Sequence, residues 1–134
     1  MIRPLLAALL LAPPVTAQVI STGAPAADIL LSQAIAEHRT FLTCSILDPE
    51  THQAILQAWN TDRAAAIGLL ADHKIGANAI YAFRDAPTPE NLIPAPDTPF
   101  EDVRQLCDAT PDWAQRYAAR DRTILAQRLP DVMP

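Results

Sequence analysis

The 134-residue chain carries ten basic and fifteen acidic residues, a formal net charge of −5, and two cysteines, Cys44 and Cys107. A net acidic balance excludes nucleic acid and an anionic membrane surface as expected partners, because both require a basic footprint. Three isolated glycines and the lack of any GxSxG, HExxH, CxxC or phosphate-loop pattern leave no catalytic signature, so neither a cofactor nor a metal is expected.

Arg3, the apolar run 5–12, the Pro13-Pro14 break and the small-residue site Val15-Thr16-Ala17 have the layout of a secretory signal peptide. An apolar run of about eight residues is too short for a bilayer, which takes about twenty. Cleavage near Ala17 therefore divides the chain into a signal peptide, 1–17, and a single helical domain, 18–134, that is periplasmic or secreted and has no membrane span. In an oxidising compartment, two cysteines outside any metal or redox motif predict a structural disulfide between Cys44 and Cys107. Two free thiols, one of them reactive, are the competing reading.

After a small-residue lead-in, 18–27, the first helix is expected from Asp28, read as its N-cap, to about Leu47. Its inward face is Leu31, Ala34, Ile35, His38, Phe41, Leu42 and Ser45, with Cys44 on the flank. Asp48-Pro49-Glu50 then stops one helix and starts the next, which folds back antiparallel. That second helix extends to about Lys74, with Gly76 as its left-handed stop. Its inward face reads Ile55, Ala58, Trp59, Asp62, Ala65, Ala66, Leu69 and His73. Residues 77–86 are expected to form a short third helix, with a strand over 79–83 as the alternative.

Prolines at 87, 89, 94 and 96 rule out persistent helix in the following loop, and Leu92 and Ile93 make it a strap anchored on the core. Thr98-Pro99-Phe100-Glu101 reads as a capping box opening a helix with Phe100, Val103 and Cys107 along one side. Thr110-Pro111-Asp112-Trp113 opens a last helix to about Leu129, with Trp113, Tyr117, Ile124 and Leu125 as a thin apolar stripe. Arg116 and Arg120, four apart, are an anion clamp or, more simply, a solvated face.

His38 and Asp62 are the candidate site. Each falls within an apolar stripe, and the tight turn at Asp48-Pro49 puts them about one turn apart across the interface. A buried carboxylate is costly unless paired, so the two are expected to satisfy each other, either as a structural hydrogen bond fixing helix register or as an acid/base couple. His52 and His73 lie elsewhere, and no metal-ligand spacing joins the histidines. Ser45, two turns beyond His38, is too far away for direct proton transfer.

The stretches FLTCSILDPET (41–51) and PAPDTPFEDVRQLCDATPDW (94–113), with Ala58, Trp59 and Asp62 between them, resemble a family of small exported bacterial proteins known only as a domain of unknown function. That resemblance implies export, helices and the cysteine pair, with no activity to carry over. The expected architecture is all-α: a four- to five-helix bundle with one disulfide and a proline-rich connecting strap. The leading functional expectation is a non-enzymatic binding protein with an envelope protein partner, marked by an exposed apolar patch beside the 87–99 loop. The alternative is a small enzyme or ligand carrier using His38 and Asp62.

Overall fold

Prolines open three of the helices, where their missing N–H costs nothing and their fixed φ is already helical. Pro25 begins α1 (Pro25–Cys44), Pro49 begins α2 (Pro49–Asp72), and α3 (Ala77–Asp85) precedes the one-turn α4 (Pro89–Leu92), which Pro89 begins. The chain continues through α5 (Phe100–Asp108), α6 (Trp113–Ala118), α7 (Leu125–Arg128) and a 3-10 turn, Leu129–Asp131. This computed structural model describes residues 20–133, and among them there is no strand. The signal peptide expected over 1–17 lies outside the described residues.

The architecture is all-α, as composition and periodicity predicted, and α1 and α2 form its centre. From α1 come Leu31, Ala34, Phe41 and Leu42, and from α2 Ile55, Trp59, Ala66 and Leu70. Phe83, Leu92, Leu125 and Leu129 close the core from the later elements. Full burial of each such large apolar side chain contributes about 1.5–3 kcal/mol. Trp59 sits at the middle. It is fully buried, its Nε1–H donates to the Pro87 carbonyl at 2.9 Å, and the His38 ring stacks on it with centroids 4.0 Å apart. The strap is thereby hydrogen-bonded to the core as well as anchored through Leu92.

Cys44 and Cys107 are disulfide-bonded, joining the end of α1 to α5. Cys44 is half-buried on the flank of the stripe, as its helical position required. The α1–α2 corner also forms as the sequence indicated, with Asp48 accepting from the Thr51 N–H at 3.3 Å and the Thr51 hydroxyl at 2.7 Å.

Several boundaries differ. Asp28 does not cap α1; the helix starts three residues earlier at Pro25, and Asp28 instead accepts from the Thr22 N–H (2.8 Å) and hydroxyl (2.6 Å), tying down the lead-in. The left-handed residue after α2 is Lys74 (φ 58°), not Gly76 (φ −57°). A Schellman closure forces this, since the Ile75 N–H reaches the Leu70 carbonyl and the Lys74 N–H the Ala71 carbonyl, both at 3.0 Å. Ile75 and Leu70, paired by that closure, are both buried. The inward face of α2 accordingly turns towards Leu70, leaving Ala65 and His73 exposed. Residues 77–85 are helix, and the strap contains the single turn α4. No capping box forms at Thr98; Pro99 is the N-cap of α5 and no side chain bonds there. The last predicted helix is broken into α6 and α7, for a reason that lies in the candidate site.

Candidate functional site

Asp62 and His38 come close enough for the Asp62 charge to act on the His38 ring, but each has a different hydrogen-bond partner from the one the sequence suggested. His38 is 2 % exposed, and its Nδ1 lies 2.8 Å from the Ala34 carbonyl one turn back. A carbonyl only accepts, so this nitrogen carries the proton. Burial pushes the His38 pKa below its ordinary value of 6.5 and outweighs the opposing hydrogen bond and the nearby Glu37 and Asp62 carboxylates; Arg122 lowers it further.

Asp62 reaches the start of α7, where Leu125 N–H donates to Oδ2 at 2.8 Å and Ala126 N–H to Oδ1 at 2.9 Å. The carboxylate thus supplies the cap that α7 lacks locally, since its own N-cap residue is Ile124. Glu37 does the same one step earlier, accepting from Thr123 N–H at 2.7 Å and the Thr123 hydroxyl at 3.0 Å. Two carboxylates from the central helices therefore anchor the non-helical residues 123–124 and the first turn of α7. This breaks the helix that had been expected to run to Leu129. No motif in the sequence marks Glu37, although Ala34, Glu37 and Phe41 are spaced three and four apart and so share one face. Both Asp62 oxygens accept from backbone amides, and His38 is buried against Trp59, so both side chains hold the scaffold together.

A second polar pair was not foreseen. Ser45 Oγ lies 2.8 Å from His52 Nδ1 across the α1–α2 corner and donates to the Leu42 carbonyl at 3.3 Å. Ser45 is fully buried, so its hydroxyl cannot meet a substrate, and the pair ties the corner together. His73 lies exposed at the far end of α2. Among the described residues no group of three or more His, Cys, Asp or Glu side chains is placed to hold a metal ion.

Arg116 and Arg120 do not share a helix face. The helix ends at Ala118, Arg120 adopts the left-handed conformation (φ 57°), and Arg116 pairs with Asp121 at 3.3 Å. Arg120, Arg122 and Arg128 border an open depression of about 370 Å³ with Glu37 and Asp121. Arg122 is already engaged there, over the Tyr117 ring at 4.2 Å and donating to the Tyr117 carbonyl at 2.9 Å.

The most distinctive surface lies at the opposite end of α1. The last turn of α1 and the corner after it, the strap at 93–98 and α5 enclose a groove of about 540 Å³. Its lining is largely apolar, and the disulfide cysteines form part of its wall. Around it stand three of the exposed large apolar side chains, Ile46 (43 % exposed), Leu47 (83 %) and Phe100 (67 %). Thr43 lines it too, with its Oγ1 buried and without a hydrogen-bond partner among the described residues. No residue of α5 is buried. The side carrying Phe100, Val103 and Cys107 does share one direction, as predicted, but it faces this groove instead of the core.

No family model, curated protein or solved structure matches the chain. The disulfide is compatible with an extracellular or periplasmic protein, and among the described residues no helix is long and apolar enough to cross a membrane.

Proposed function

We propose that the chain is a non-enzymatic periplasmic or secreted binding protein, one of the small exported helical proteins it resembles, and that the groove beside the strap receives a partner in the cell envelope. One observation carries this reading: Leu47 and Phe100 stand exposed at the mouth of a largely apolar groove. Soluble proteins rarely leave contiguous apolar surface open without a use for it, and the volume lies within the range of about 300–1,000 Å³ typical of binding pockets. The enzyme reading based on His38 and Asp62 draws no comparable support, because both side chains are committed to the scaffold.

Site-specific photocrosslinking in cells tests the proposal. A photoreactive amino acid at position 47 or 100 is expected to give a discrete adduct that is absent when the same probe replaces the exposed Gln57. Equal labelling at all three positions, or none at 47 and 100, would remove the groove as a binding site.

A further inference from the structure

Acidic residues border the groove on the strap and on α5. Asp97 lies between the lining residues Pro96 and Thr98, and Glu101 follows Phe100 and is paired with the lining residue Arg104. Asp108 follows the lining residue Cys107, and all three carboxylates belong to exposed residues. Among the described residues the only basic one lining the groove is Arg104, and its guanidinium is already paired with Glu101 and faces Asp108 at 3.9 Å. Three carboxylates against one guanidinium leave the border of this apolar groove net negative.

We infer that the groove docks a basic amphipathic segment of a partner protein, whose apolar side chains enter between Leu47 and Phe100 while flanking lysines or arginines meet the acidic rim. This rests on the binding reading above and adds the chemistry of the partner. The acidic rim disfavours a second copy of this chain, since it would bring two negative rims together. It also disfavours anionic lipid head groups for the same reason.

The test uses the purified disulfide-bonded protein and two synthetic helical peptides with identical apolar positions, one flanked by lysine and arginine, the other by glutamate. An uncharged naphthylamine dye serves as an independent reporter of the apolar groove. The basic peptide is expected to displace the dye and to bind at least about tenfold more tightly than the acidic one. Raising salt from about 0.05 to 0.5 M should weaken it about fivefold or more while leaving dye binding unchanged. Asp97→Asn with Asp108→Asn should lower peptide affinity alone. Leu47→Ala with Phe100→Ala, both at exposed positions, should lower peptide and dye binding together.

Dye binding with no peptide displacement, or equal affinity for the two peptides, overturns the basic-partner assignment and leaves the groove a binding site. Dimerisation abolished by Leu47→Ala overturns it in favour of a second copy. Failure of dye and both peptides to bind overturns the basic-partner assignment and the binding reading together.

Discussion

Replacing Asp62 should unlatch the C-terminal segment while leaving the helix pair formed. The carboxylate accepts from two amides, Leu125 N–H in a partly buried position and Ala126 N–H in an exposed one. A hydrogen bond to a charged acceptor contributes about 1.5–3 kcal/mol when shielded from water, and the exposed one contributes about 1 kcal/mol, because water replaces the lost oxygen. Asp62→Ala is thus expected to cost about 3 kcal/mol. Asp62→Asn keeps one acceptor oxygen but turns an NH₂ group towards the second amide, and should cost about 2 kcal/mol. Urea unfolding followed by circular dichroism gives these differences as midpoint shifts. Hydrogen exchange supplies the local reading, since protection should fall first at the Leu125 and Ala126 amides. If both variants lie within about 0.5 kcal/mol of the wild type, the range of ordinary surface substitutions, with those two amides still protected, the capping role is wrong.

Breaking the disulfide by Cys44→Ala with Cys107→Ala opens a loop of 63 residues' separation, for which chain entropy predicts a loss of up to about 4 kcal/mol. In a chain of this size that corresponds to about 15 °C in Tm by calorimetry, and dye binding to the groove should be lost because α5 has no buried residue to retain it. His38 has a folded-state pKa lowered by burial, so the unfolded chain binds its proton more readily. Stability should be full above pH 6.5 and fall on acidification below it, by at most about 1.4 kcal/mol per pH unit. His38→Gln should flatten that part of a stability-versus-pH curve, and an unchanged slope would assign it to other groups. Lys74→Gly relieves a left-handed backbone that costs a side-chain-bearing residue about 1–2 kcal/mol. Part of the gain is offset by the entropy of glycine, so the melting curve should show a stabilisation of about 0.5–1 kcal/mol.

Local chemistry in the sequence was enough to locate α1, α2 and the corner between them, because proline, Asp48 and the 3.6-residue spacing all act within a few residues. The disulfide was equally legible, since compartment chemistry and only two cysteines leave one pairing. The break between α6 and α7 was not legible. Residues 113–129 contain no glycine or proline, and helix propensity alone would carry the helix through. What interrupts it are Glu37 and Asp62, whose carboxylates lie 86 and 63 residues away in sequence from the amides they bind first. Asp62 stood out correctly as a polar residue in an apolar stripe that needed a partner. The partner proved to be backbone, to which a periodicity analysis of side chains is blind. Phe100 illustrates the same limit, because spacing put it on the side with Val103 and Cys107 but could not say that this side faces a groove.

The two carboxylates also set an order of events. Glu37 belongs to α1 and Asp62 to α2, and both must be in register before the 123–126 backbone can seat against them. A one-residue slip of either helix turns its carboxylate by about 100° and leaves those amides unbonded. The chain from Thr123 to Met133 consequently locks last, after the hairpin of α1 and α2 has aligned, because contacts across such separations form only once loop closure has been offset elsewhere. In kinetic terms the latch belongs to the unfolding side of the barrier. Loosening it through Asp62→Asn should quicken unfolding and leave the refolding rate nearly untouched, so the C-terminal segment reports whether the central pair has found its register.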